Sequence, residues 1–149
     1  MNADAPTARS HANSEKLRAI YGDLARIGEF AADDMVLYTA SRDLRGDRAA
    51  GRVVGKEAAV AHERELIRLT DGTLVMAVDH IVANDHFGAV LGVLRARLRG
   101  ATLAMPFCGL WRFREGLITH HWENAHDASA TEAFLLGLTS GGLTSGAPA

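Results

Sequence analysis

His121 and Glu123 stand two residues apart in Leu117–Asn124, a run whose composition suits a β-strand. Side chains at i and i+2 of a strand leave on the same face, so this imidazole and this carboxylate are neighbours by geometry. Together they make an acid/base pair. Burial raises a carboxyl pKa while a partner charge opposes that shift, so either group can be tuned toward neutrality. The same two side chains could instead be a satisfied polar pair that closes the sheet. His120, His126 and Asp127 lie close by and invite a metal reading. His120 and His121 point to opposite faces, however, and no HExxH or CxxC spacing occurs, so no metal is expected. Asp127 follows the strand, where it can cap a closing helix. Arg45-Gly46-Asp47 and the segment 51–55 match neither nucleotide-binding fingerprint, and no cofactor is expected. Cys108 lacks a clear activating partner and reads as packing.

The pair must be positioned by a sheet. Three long strands, Thr73–Asn84, Phe87–Arg99 and Thr102–Arg114, precede Leu117–Asn124. Asn84-Asp85, Gly100 and Arg114-Glu115-Gly116 supply the turn chemistry between them, giving an antiparallel meander. Strands of this length tend to curl. The first is apolar on both faces, as expected of a strand covered on both sides or paired with a second subunit.

Helical packing for one face comes first in the chain. The pattern predicts a helix from near Thr7 or Ser14 to Tyr21, with Leu17 and Ile20 inward. Gly22 then stops it as a left-handed residue, and Asp23 caps a short helix from Leu24 to about Ala31, with Leu24, Ile27 and Phe30 on one face. Met35–Thr39 reads as a brief strand and Ser41–Arg52 as a charged loop. A third helix follows Gly55 and ends before Asp71-Gly72. His62 and Glu63 are adjacent in that helix, so at least one is expected at the surface. A closing helix runs through Phe134 and Leu135.

The fold class is α+β, with helices filling the concave side of one curved sheet. The expected organisation is a single domain over 8–136, with flexible ends at 1–7 and 137–149. A 149-residue chain that is 48% hydrophobic can bury a substantial core. The formal charge of -2 makes no case for nucleic acid or an anionic membrane. No apolar run approaches the roughly 20 residues of a membrane span, and the lone cysteine fits a reducing compartment. The expected location is cytoplasmic.

Gly22-Asp23-Leu24, Asp33-Asp34, Gly55-Lys56-Glu57-Ala58, Trp111-Arg112-Phe113, Gly116-Leu117-Ile118 and His121-Trp122-Glu123-Asn124, in this order and spacing, resemble the NTF2-like superfamily. Within it the chain is most similar to the SnoaL-like branch of polyketide cyclases, over about Leu17 to Phe134. The resemblance implies a cone-shaped sheet wrapped around N-terminal helices and enclosing an apolar pocket. It places Met105, Phe107, Gly109, Trp111 and Phe113 on the inner wall, with Leu37 and Thr39 from the first strand. Thr119, His121, Glu123 and Ala125 follow on the next strand, and Asp79 points in from the first long one. Asp79 could also pair with a helix residue such as His62. In SnoaL-like cyclases an acidic residue near Asp127 acts as acid/base, so Asp127 joins Glu123, His121 and Asp79 as a catalytic candidate.

The resemblance also excludes some chemistry. Ketosteroid isomerase shares the fold and needs a carboxylate base with a tyrosine and a protonated aspartic acid as donors. Matching puts Thr39, a position near Glu15, and Gly109 at those places. Limonene epoxide hydrolase uses an inward arginine, whereas Arg95, Arg97 and Arg99 are expected to face out.

Two functional classes follow. One is a cofactor-independent cyclase, isomerase or dehydratase working on a hydrophobic small molecule. The other is a noncatalytic binding or accessory protein. An apolar outer sheet face carrying Phe87, Ala89, Leu91, Val93, Cys108 and Leu110 predicts a homodimer.

Overall fold

The computed structural model describes residues 10–42 and 51–137. The ends at 1–7 and 138–149 and most of the charged loop lie outside the described residues. In chain order the elements are α1 (Ala12–Gly22), a 3₁₀ helix (Leu24–Glu29), β1 (Ala31–Tyr38), β2 (Arg52–Val54) and α2 (Lys56–Leu69). They are followed by β3 (Val75–Ala83), β4 (Phe87–Leu98), β5 (Ala101–Arg114), β6 (Leu117–Trp122) and α3 (Ala128–Leu136).

The strands form one six-stranded sheet in the order β2-β1-β6-β5-β4-β3. The meander β3 to β6 is antiparallel throughout, as its turns dictate. Arg99 and Gly100 have φ of 51° and 76°, and Glu115 and Gly116 have 51° and 78°. Such left-handed pairs match the twist of the strands they join. The sheet is not purely antiparallel, however. β6 also pairs in parallel with β1, and β1 pairs with the short β2, which the charged composition of its surroundings concealed.

The N-terminal helices differ in detail from the sequence pattern. Gly22 is not among the left-handed residues. Instead α1 is stopped by Asp23, whose N–H reaches Ala19 and Ile20 carbonyls while its side chain accepts from Ala25 N–H. The helix after it is 3₁₀, and the i, i+3 spacing of Leu24 and Ile27 suits three residues per turn. Leu17, Ile20, Ile27, Met35, Leu37, Trp111 and Phe113 form the main core between these helices and the sheet. A second cluster joins Leu94, Leu98, Leu103 and Met105 to Phe134 of α3.

The register of the sheet shifts in three places, between Ala31 and Val36 of β1 against β6 and at two β-bulges in the meander. Val78 pairs with Gly92 and His80 with Leu91, so Asp79 is an extra residue on β3. Arg112 pairs with His120 and Phe113 with Ile118, so Thr119 is an extra residue on β6. A bulge bends its strand and strengthens the local twist. Among the described residues no helix is long and apolar enough to cross a membrane.

Candidate functional site

β6 carries His121 inward, opposite Trp111 of β5, and the chain beyond it carries Glu123. Against them lies α2, whose buried Ala59 fixes the inner stripe of the helix. Glu63 follows at i+4 on that stripe and His62 at its margin. Tyr21 arrives from α1, one position after the buried Ile20. These side chains meet at an apolar cavity of about 200 Å³, closed on the far side by α3.

The polar contacts define a cluster. His62 Nε2 lies 2.8 Å from Glu123 Oε1, and Ala40 N–H donates to Glu123 Oε2 at 3.3 Å. The Nδ1 of His121 is 3.0 Å from the Leu110 carbonyl oxygen, and its ring lies against the Trp111 indole. Trp111 N–H donates to the Tyr21 hydroxyl at 3.3 Å. Arg42 braces the strand end by donating to the Glu123 carbonyl and to Asn124.

The electrostatics follow from burial and pairing. Burial alone would lower His62, but the hydrogen bond and charge of Glu123 outweigh it and raise its pKa to about 9. Burial would raise Glu123, yet the His62 hydrogen bond and charge hold it below the usual carboxylate range. Glu63 is pushed up, first by burial and then by the charge of Glu123, against an opposing pull from His62. Burial lowers His121 to about 4, so its imidazole is neutral. Burial likewise raises the Tyr21 phenol far above its ordinary value. The cluster is thus an ion pair flanked by a neutral acid and a neutral imidazole.

Of the residues singled out in the sequence, His121, Glu123, Thr39, Phe107 and Gly109 line this cavity. Trp111 sits one layer behind, only 1% exposed, with His121 between it and the space. Leu37 and Phe113 belong to the main core and Met105 to the second cluster, so none of the three lines the cavity wall. Asp79 is exposed, because the bulge takes it out of the inward alternation. Nor does it pair with His62, whose partner is Glu123. Asp127 is exposed, and its Oδ1 accepts from Ala130 N–H at 2.9 Å, capping α3. Thr119 is diverted by the second bulge, and its hydroxyl donates to the Arg112 carbonyl. Arg95, Arg97 and Arg99 do face solvent.

Glu63 and Tyr21 are the additions. Glu63 is 2% exposed, although one of the His62–Glu63 pair was expected at the surface. Counting four residues on from Ala59 would have placed it inward. Tyr21 supplies a phenol to the cavity, six residues beyond the exposed Glu15 at which the isomerase comparison was made.

One nitrogen of His121 and one carboxylate oxygen from each of Glu63 and Glu123 lie within 4.8 Å of one another. These three could hold a cation. His62 already compensates Glu123, and a proton on Glu63 removes the remaining charge. A wider concavity of about 660 Å³ is lined by Val82, Phe87, Leu110 and Trp122 together with Arg42, Trp111 and Asn124.

A SnoaL-like domain profile matches residues 19–121. No curated protein sequence matches the chain. Among solved structures, Bal32a from a soil-derived mobile gene cassette is similar at 24% identity and a TM-score of 0.70, over 83% of this chain and 95% of that one. IdmH of Streptomyces antibioticus, a candidate polyketide cyclase, is similar at 20% identity and a TM-score of 0.62, over 85% and 99%. TerC, co-crystallised with polyporic acid, is similar at 19% identity and a TM-score of 0.65, over 83% and 98%. The fold of these structures is the same curved sheet over helices, and the match over 19–121 shows that this chain belongs to the SnoaL-like domain family.

Proposed function

We propose that this protein is an acid/base enzyme that cyclises, isomerises or dehydrates a hydrophobic, polyketide-like small molecule without a cofactor. The observation that carries this reading is the cluster of two carboxyl groups and two imidazoles at one end of an apolar cavity, with Glu63 and His121 buried and His62 and Glu123 half-buried. Drawing four ionisable groups wholly or partly out of water costs stability, and such clusters concentrate where proton transfer is performed. His121 and Glu123 are the groups shared by the sequence reading and the cavity. Phe107 gives the substrate a flat wall, and the bare backbone of Gly109 admits the Tyr21 phenol beside it.

Glu123→Gln and His121→Ala, assayed on a candidate polyketide intermediate, test this. Turnover should fall by about 10²–10⁴ with little change in affinity if either moves a proton. Near-native rates in both would overturn the reading. Prolonged EDTA treatment should leave the rate unchanged.

A binding or accessory role is the second reading. It is favoured by one observation: both Glu123 oxygens already have protein partners, as in a structural ion pair. Affinity without turnover, unchanged in both variants, would establish it.

A further inference from the structure

We propose that Glu63 is the proton donor of this site and the Nε2 atom of His121 the matching acceptor, acting together on an uncharged substrate that carries a carbonyl beside an acidic C–H. The proposal rests on the acid/base reading above and assigns its two working atoms.

Glu63 comes first. Its side chain is 2% exposed and has no hydrogen-bond partner among the described residues. Since no fully enclosed side-chain polar atom there is left unpartnered, its carboxyl must open onto the cavity it lines. Around the cavity with it are His62 on its own helix, His121 of β6, Glu123 just beyond β6, Tyr21 of α1 and Glu132 of α3, with the charge of Arg42 acting on His121. Burial and the charge of Glu123 raise Glu63 to about 8, against the pull of His62. At neutral pH it therefore presents an O–H.

His121 is the complement. A carbonyl only accepts, so Nδ1 facing Leu110 carries the ring proton and Nε2 keeps its lone pair. By the same reasoning that atom, with no protein partner, is open to the cavity. Tyr21 adds a second donor. An indole N–H only donates, so the phenol oxygen accepts from Trp111 and its own proton has no acceptor among the described residues.

The charge balance selects the substrate. His62 and Glu123 cancel, Glu63 and His121 are neutral, and Arg42 is held by backbone and Asn124 oxygens. Among the described residues that line the cavity, no cation is left to receive a carboxylate or phosphate. A cavity of about 200 Å³ is below the usual range for drug-sized ligands and suits one or two rings.

In the step itself, the C–H proton passes to Nε2 and its electron pair becomes the C=C bond of an enol. The carbonyl oxygen takes the proton of Glu63. An imidazolium and a carboxylate remain within the same cluster, where each stabilises the other until the protons return. The weak basicity of His121 is offset because oxygen protonation accompanies proton removal.

The test is proton exchange of 2-tetralone, a bicyclic enolisable ketone, in deuterium oxide, followed by proton NMR. The folded wild-type protein should exchange its α-protons faster than buffer, and Glu63→Gln should slow this by about 10². Glu63→Asp, which restores an acid, should recover part of the rate, an outcome a structural role would not give. The wild-type rate should also fall as pH rises through about 8. If Glu63→Gln fails to fold, that limb decides, and its absence overturns the proposal. Wild-type exchange no faster than buffer, or Glu63→Gln within threefold of wild type, also overturns it. Loss in Glu123→Gln alone would sink this assignment and leave the broader acid/base reading standing.

Discussion

The indole of Trp111 lies flat on the imidazole of His121, with ring centroids 3.5 Å apart and planes 14° from parallel. The same indole N–H holds the Tyr21 hydroxyl. One buried side chain thus fixes both an imidazole and a phenol of the site without touching the space they face. Trp111→Phe keeps a ring but loses that hydrogen bond and part of the buried area. It should cost about 1–3 kcal/mol in denaturant unfolding and lower turnover together with it. A ligand-induced change in tryptophan emission should survive Trp122→Phe, since Trp122 packs on Tyr38 at the outer face, and vanish in Trp111→Phe.

Gly109 is the space that Tyr21 occupies. A Cβ built there would lie 2.0 Å from the Tyr21 hydroxyl oxygen and 3.1 Å from the Trp111 indole nitrogen. Gly109→Ala should therefore displace the phenol, reduce affinity for apolar ligands, and destabilise the fold by about 1–3 kcal/mol. A crystal structure of the variant with Tyr21 unmoved would contradict this.

Stability should depend on pH through the buried groups in opposite senses. His62 is raised to about 9, so its contribution is complete below its ordinary value of 6.5 and is lost as pH rises through 9. His121 is lowered to about 4, so folding loses stability as pH falls from 6.5 toward 4. Glu63 is raised from 4.5 to about 8, and its cost to folding grows across that interval as only the unfolded chain ionises. Glu63→Gln removes that cost. Its melting temperature should exceed wild type by more at pH 8 than at pH 5, on the order of several degrees. Equal differences at both pH values would show that Glu63 is not held neutral.

We propose that two copies pair through the outer sheet face, where Phe87 is 57%, Leu91 45% and Leu110 42% exposed. Leaving such a face in water costs about 25 cal/mol per Å². Light scattering should show a dimer at micromolar concentration, and Leu91→Lys should give a monomer with its helical circular dichroism intact.

The meander was legible because its turns are written in residues with few alternatives, such as Arg99-Gly100 and Glu115-Gly116. The pair His121 and Glu123 was legible because it spans no irregularity. Asp79 was misplaced because strict alternation says nothing of an extra residue, and pairing with Leu91 and Gly92 across the sheet decides where one is absorbed. Trp111 was expected on the cavity wall; alternation gives a face and not a depth, and it lies one layer behind with His121 covering it. Glu63 was hidden by the habit of reading a charged residue as solvated. Its position four residues after Ala59 was the stronger signal.

Asp79 and Thr119 also make seams in the sheet. Because each is the surplus member of its ladder, removing it would leave every neighbour facing the way it now faces. Loss of one residue elsewhere in those strands would instead exchange inside for outside up to the next turn. Length can therefore drift at these two seams with the interior roster intact, and what would change is the curl of the sheet. The chain carries, in two exposed or half-exposed positions, a means of widening or narrowing its interior without editing a single residue that lines it.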